Sequence, residues 1–76
     1  MPKRKKWKKT AEITRFGNAC RKLREEAGLS QESLAGMAEV HRTYYSGIER
    51  GERNPGLRLI FKIAKALDIP VSQLFE

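Results

Sequence analysis

Arg42, Thr43 and Ser46 are the residues of this sequence best placed to do chemistry, and that chemistry is hydrogen bonding rather than catalysis. At helical spacing they share one face with Gly47, while Tyr45 and Ile48 turn inward with Val40. The fork of an arginine matches the O6/N7 pair of guanine, and short hydroxyls can bond base edges or touch a thymine methyl. Further donors flank this face. Gln31 is the first residue of a helix, where free N–H groups and the positive end of the helix suit a backbone phosphate. Arg50, Arg53 and Asn54 follow the face in a loop and would lie beside a nucleic-acid strand. Each also has a plain alternative: Gln31 is a good helix former, and exposed loop arginines are common. Materials for catalysis are lacking. One His and one Cys, with no Gly-rich loop and no acidic cluster, supply neither a metal site nor a nucleophile with its base. The chain is therefore not expected to be an enzyme or to hold a cofactor.

Two short helices must position that face. Ser30 can cap the first, and Leu34, Ala35 and Ala38 give it an apolar stripe. A break at Glu39–Val40–His41 leads into the second, residues 42–49, with Gly51 as its left-handed stop. Two helices, a tight turn and a polar outer face make a helix-turn-helix. Upstream, Ile13, Phe16, Cys20, Leu23 and Ala27 mark an amphipathic helix from about Thr10 to Gly28. Arg24 sits beside that stripe, and taken alone reads as a solvated charge. Gly36 weakens its helix, and close approach of another helix would explain it.

Downstream, a helix over 57–67 carries Leu57, Ile60, Ala64 and Leu67 on one face, with Phe61 widening it. Leu59 and Ile63 lie toward the other side. A helix apolar on more than one face is buried on two sides, and a second copy of the chain is the expected cover. Pro70 then opens a last short helix whose Val71, Leu74 and Phe75 either cap the core or extend that dimer surface.

Seventy-six residues allow one domain with one small core. No apolar run nears the roughly 20 residues of a membrane span, and no apolar region follows the basic N-terminus as in a secretory signal. The net charge of +7 is uneven. Lys3, Arg4, Lys5, Lys6, Lys8 and Lys9 carry most of it, leaving ten basic residues against nine acids in the body. Residues 1–10 are thus expected to be a disordered basic arm, and residues 11–76 the folded domain. The arm either lies on phosphates, with Trp7 available to stack, or only solubilises. Cys20 falls on the apolar stripe and is expected to be a buried, reduced thiol, which fits the cytoplasm. Met1 reads as a natural start.

Three segments, RKLREEAGLSQESLA (21–35), RTYYSGIERGERNP (42–55) and KIAKAL (62–67), resemble the phage-repressor and Cro-type helix-turn-helix family. The likeness covers about residues 17 to 75. The second segment is also similar to the small controller proteins of restriction–modification systems. The resemblance implies an all-α, lambda-repressor-like bundle of five helices. It implies that Arg24 pairs with Glu49, that Gln31 bonds a phosphate, that Arg42, Thr43 and Ser46 face bases, and that Tyr44 reaches base or backbone. It further implies a sequence-specific transcriptional regulator, homodimeric on a palindromic operator; the apolar faces described above would place the dimer contact at Leu59, Ile63, Val71, Leu74 and Phe75. Its partners would be double-stranded DNA, itself and RNA polymerase, with no membrane. A protein-interaction module on the same fold is the alternative. The sequence departs from the family at the turn. Glu39 stands where a left-handed backbone is usual, at a cost of ~1 kcal/mol or more. His41 replaces a good capping residue, Gly47 removes a side chain that often touches bases, and Gly56 replaces a capping serine.

Overall fold

The computed structural model describes residues 10–76; the basic arm, apart from Thr10, lies outside the described residues. Four α-helices follow in order: α1 (Ala11–Glu26), α2 (Gln31–Met37), α3 (Arg42–Glu49) and α4 (Leu57–Leu67). No strand occurs among the described residues. The expected fifth helix is a 3₁₀ turn over Val71–Phe75. The turn is five residues long, and the Gln73 N–H bonds back to the Pro70 carbonyl at 3.0 Å, an i→i+3 closure suited to so short a piece.

Side-chain acceptors open the first three helices. Thr10 Oγ1 accepts from the Ile13 N–H at 3.2 Å, and Ser30 Oγ accepts from the Ser33 N–H at 3.0 Å. His41 does cap α3, unlike the poor cap that its residue type suggests. Its Nδ1 accepts from the Thr43 N–H at 3.1 Å. Gly56 offers α4 no side-chain cap. Gly28 and Gly51 take φ of 73° and 72° just past α1 and α3, where an L side chain would be strained. Glu39 takes φ 61° between α2 and α3 despite its side chain. The Val40 N–H bonds the Ala35 carbonyl at 2.9 Å, and Lys62 Nζ lies 3.0 Å from the Glu39 carboxylate, so the turn is held at both ends.

The core is built from Phe16, Cys20, Leu34, Ala35, Ala38, Tyr45, Ile48, Ile63, Ala64, Leu67 and Leu74. α1 packs on α3 and on the 3₁₀ turn; α2 packs on α3 and α4; α4 also meets the 3₁₀ turn. That packing corrects the expectation for the dimer surface. Ile63 and Leu74 have no exposed surface at all and belong to the core of a single chain. Leu59 and Val71 are half-buried against it. The second apolar side of α4 is covered by α2 and the 3₁₀ turn, which periodicity along α4 alone does not reveal. Conversely, Leu57 and Phe61, assigned inward, are 70% and 53% exposed. Phe75 is also exposed, though its ring lies 5.3 Å from that of Phe16.

Gly17 is where α1 meets α3. A Cβ there would fall 2.3 Å from the Ile48 carbonyl oxygen and 2.9 Å from that of Glu49, both backbone atoms with little freedom to yield. Gly36 has the opposite surroundings. Nothing lies within 4 Å of a Cβ built on it, so no neighbouring helix explains it. Gly17→Ala is expected to cost about 1–3 kcal/mol or more through overpacking. Gly36→Ala should stabilise by up to ~1 kcal/mol through helix propensity. Chemical denaturation of the two variants checks both signs together.

Candidate nucleic-acid interface

α3 divides cleanly by face. Tyr45 and Ile48 are buried, while Arg42 and Thr43 are exposed and Ser46 and Tyr44 half-exposed. Gly47 departs from the outward position expected for it. It is buried beneath the side chain of Arg53, whose Cγ stands 2.9 Å from where a Cβ would be. The missing side chain leaves room for the arginine stem, and the Arg53 guanidinium then sits 5.4 Å from the centre of the Tyr44 ring, within cation–π range. The loop after α3 is thereby drawn onto the same surface as Arg42 and Thr43. Arg50 bonds Ser46 Oγ through Nη1 and the Glu52 carboxylate through Nε at 3.1 Å. Asn54, next to Arg53 in sequence, is exposed.

Behind that surface lies a buried charge. Glu49, at the end of α3, has a side chain only 4% exposed. Arg24 from α1 grips it with two bonds, Nε at 2.6 Å and Nη2 at 3.1 Å, and spends Nη1 on the Leu29 carbonyl at 2.8 Å. Gln31 from α2 donates Nε2 to the same carboxylate at 2.9 Å. One of the two amide hydrogens of Gln31 is thus used inside the protein, which leaves the other for an outside acceptor. Burial by itself would push the Glu49 carboxyl up; hydrogen bonds from Arg24 and Gln31, with the Tyr45 hydroxyl close by, outweigh it and hold the group below the ordinary carboxylate range. The Tyr45 hydroxyl faces this carboxylate but makes no hydrogen bond of standard geometry. Burial, with Glu49 nearby, pushes the Cys20 thiol up to about 12, so it is an inert core residue rather than a nucleophile.

The pattern of the helix-turn-helix family matches residues 21–74. The chain belongs to that family. Among its relatives, the control protein C.MunI of a Mycoplasma species is 52% identical over 63 residues, 82% of this chain and 85% of that protein. The control protein C.BamHI of Bacillus amyloliquefaciens is 45% identical over 62 residues, 80% of this chain and 76% of that one. The crystal structure of the restriction–modification controller protein C.AhdI from Aeromonas hydrophila superposes with a TM-score of 0.85 at 47% identity. That superposition covers 87% of this chain and all of C.AhdI.

For this helix-turn-helix protein, sequence reasoning missed several contacts around the expected site. The Gln31–Glu49 bond joins two helices, the Leu29 carbonyl on Arg24 joins α1 to the loop after it, and the Arg50–Glu52 pair lies in the irregular segment after α3, so no periodicity marks them. Gly17 carried a signal that went unused: a glycine inside an apolar helical stripe marks a close approach. No group of three or more His, Cys, Asp or Glu residues that could hold a metal ion occurs among the described residues.

Replacing Arg24 with Met is expected to cost about 3–5 kcal/mol at neutral pH, because Glu49 would be left buried and unpaired. The sign of the pH effect follows from the lowered Glu49 carboxyl. Its contribution is full above the unfolded carboxylate range, near pH ~4.3, and is lost as pH falls through that range toward the folded value. Thermal melts from pH 7 downward should therefore show a steep acid loss in the parent. Glu49→Gln should start lower and be flatter, and the penalty of Arg24→Met should shrink in acid.

Proposed function

We propose that this chain is a sequence-specific DNA-binding transcriptional regulator that controls a restriction–modification operon and does no catalysis. The observation that carries this is the exposed face of α3. Arg42 and Thr43 project from a short helix whose other face is locked in the core, and Ser46 continues the same side one turn on. A helix so mounted can enter a major groove and present a fork and two hydroxyls to base edges. Arg42 reads a guanine O6/N7 pair, and Thr43 and Ser46 add short hydrogen bonds or thymine-methyl contacts. Gln31, Tyr44, Arg50, Arg53 and Asn54 hold phosphates on either side and fix the register. The relatives named as restriction–modification control proteins support the choice of operon.

The regulator acts as a homodimer on a near-palindrome, with half-sites about 34 Å apart or a multiple of that. Leu57 and Phe61, one turn apart on α4, and Phe75 on the 3₁₀ turn are large apolar side chains left in solvent by the folded chain. They supply the surface that a second copy covers. Phe61→Glu should shift the protein to monomer in sedimentation while leaving its helical signal intact. Unchanged association would move the interface elsewhere.

Base reading is tested with Arg42→Ala. The variant should lose ~1–3 kcal/mol on a duplex selected by the parent protein and lose its preference at one base pair of each half-site. An equal loss on selected and scrambled duplexes would assign Arg42 to the phosphates instead.

A further inference from the structure

Ser46, Arg50 and Glu52 form a chain of hydrogen bonds along the edge of the α3 surface. Arg50 Nη1 donates to Ser46 Oγ, and Arg50 Nε donates to Glu52 Oε1 at 3.1 Å. Glu52 is not a loose side chain at a loop tip. Its backbone N–H donates to the Gly47 carbonyl at 2.8 Å, which fastens it to the last turn of α3 just after the left-handed Gly51. Its carboxylate is thereby presented to Arg50 from a fixed point. An arginine has only donors, so the bond to Ser46 occupies a lone pair of the hydroxyl. The hydroxyl hydrogen must then point away from the guanidinium.

We propose that Glu52 is a positioning residue for base recognition: through Arg50 it holds Ser46 as a hydrogen-bond donor toward the groove. This rests on the base-reading role given to Ser46 above. A donor at that point favours the major-groove acceptors, purine N7, guanine O6 or thymine O4, over the amino group of cytosine. With Glu52 in place, Arg50 meets its phosphate through Nη2 alone; without the carboxylate it loses its charged partner and can swing its whole fork onto that phosphate, letting go of Ser46. The Ser46 hydroxyl then rotates freely and accepts as readily as it donates. Glu52 therefore contributes nothing to affinity directly. It narrows what one base position tolerates. The Arg50–Glu52 pair is about half exposed on both sides, so the effect is modest.

The test is selection of bound duplexes from a random pool with the parent protein and with Glu52→Gln, followed by competition at each position. The substitution keeps shape and removes charge on an exposed side chain, and a thermal melt checks that the fold is retained. Glu52→Gln should widen tolerance at one base pair of each half-site by up to about fivefold, the range open to an exposed ion pair. Other positions should keep their preferences, and in a Ser46→Ala background the substitution should change no preference at all. Unaltered preferences, an equal change at every position, or a change that survives Ser46→Ala would each overturn the role of Glu52. A parent protein that selects no sequence would overturn the base-reading proposal itself, and this inference with it.

Discussion

One carboxylate almost wholly withdrawn from water decides how this molecule is put together. Glu49 ends the helix that faces outward, yet its own side chain points into the protein. It can remain ionised there only if donors surround it, and they come from two other elements: Arg24 of α1 and Gln31 of α2. Three helices are thus fixed to one point. A buried ion pair adds little net stability compared with well-packed apolar residues of the same size. Its consequence here is geometric. Two forked bonds and an amide bond tolerate little movement of α3, so the face carrying Arg42 and Thr43 is held at one angle to the rest.

Apolar packing alone would not give that angle. The shared core of α1, α2 and α3 sets two bulky rings, Phe16 and Tyr45, among smaller groups such as Cys20, Ala35 and Ala38, and apolar contact of this kind is non-directional. Gly17 brings the backbones of α1 and α3 into contact and removes one direction of slippage. Glu39, in a left-handed conformation that glycine adopts more readily, is compensated by its pairing with Lys62 of α4. The turn between α2 and α3 is therefore strained locally and braced from a distance.

Much of this could be anticipated from residue order. The start and end of α4, the caps at Thr10 and Ser30, the left-handed glycines after α1 and α3 and the inward Tyr45 and Ile48 all rest on local rules, and local rules need only neighbours in sequence. Errors arose where the outcome depends on which elements touch. Ile63 looked like a dimer residue because an isolated α4 is apolar on too many sides, and Leu74 because the last short segment shows no neighbour in sequence; α2 and the 3₁₀ turn cover the first, and α1 and α4 the second, within the same chain. Gly47 looked like an outward position left blank, whereas Arg53 from a later loop fills it. The final segment looked α-helical, but over its five residues the chain closes with the tighter i→i+3 bond from Gln73 to Pro70.

The placement of charge follows from the same division between local and distant partners. Outside its N-terminal arm the chain is nearly neutral, so long-range attraction to a polyanion is weak in the folded body. Affinity there must come from donors brought to particular points. Several of those donors are already held by protein acceptors: Gln31 by Glu49, Arg50 by Ser46 and Glu52, Arg53 by the ring of Tyr44. Such contacts reduce the side-chain entropy lost when a ligand arrives, and they also weaken the pull of any single phosphate, since a bond inside the protein must be shared or broken. Among the described residues, Arg42 and Thr43 have no comparable side-chain restraint, and both stand exposed. In the proposed role, a surface built this way would bind a generic backbone poorly, and would gain most when the unrestrained pair meets matching base edges at the same time as the restrained donors meet phosphates.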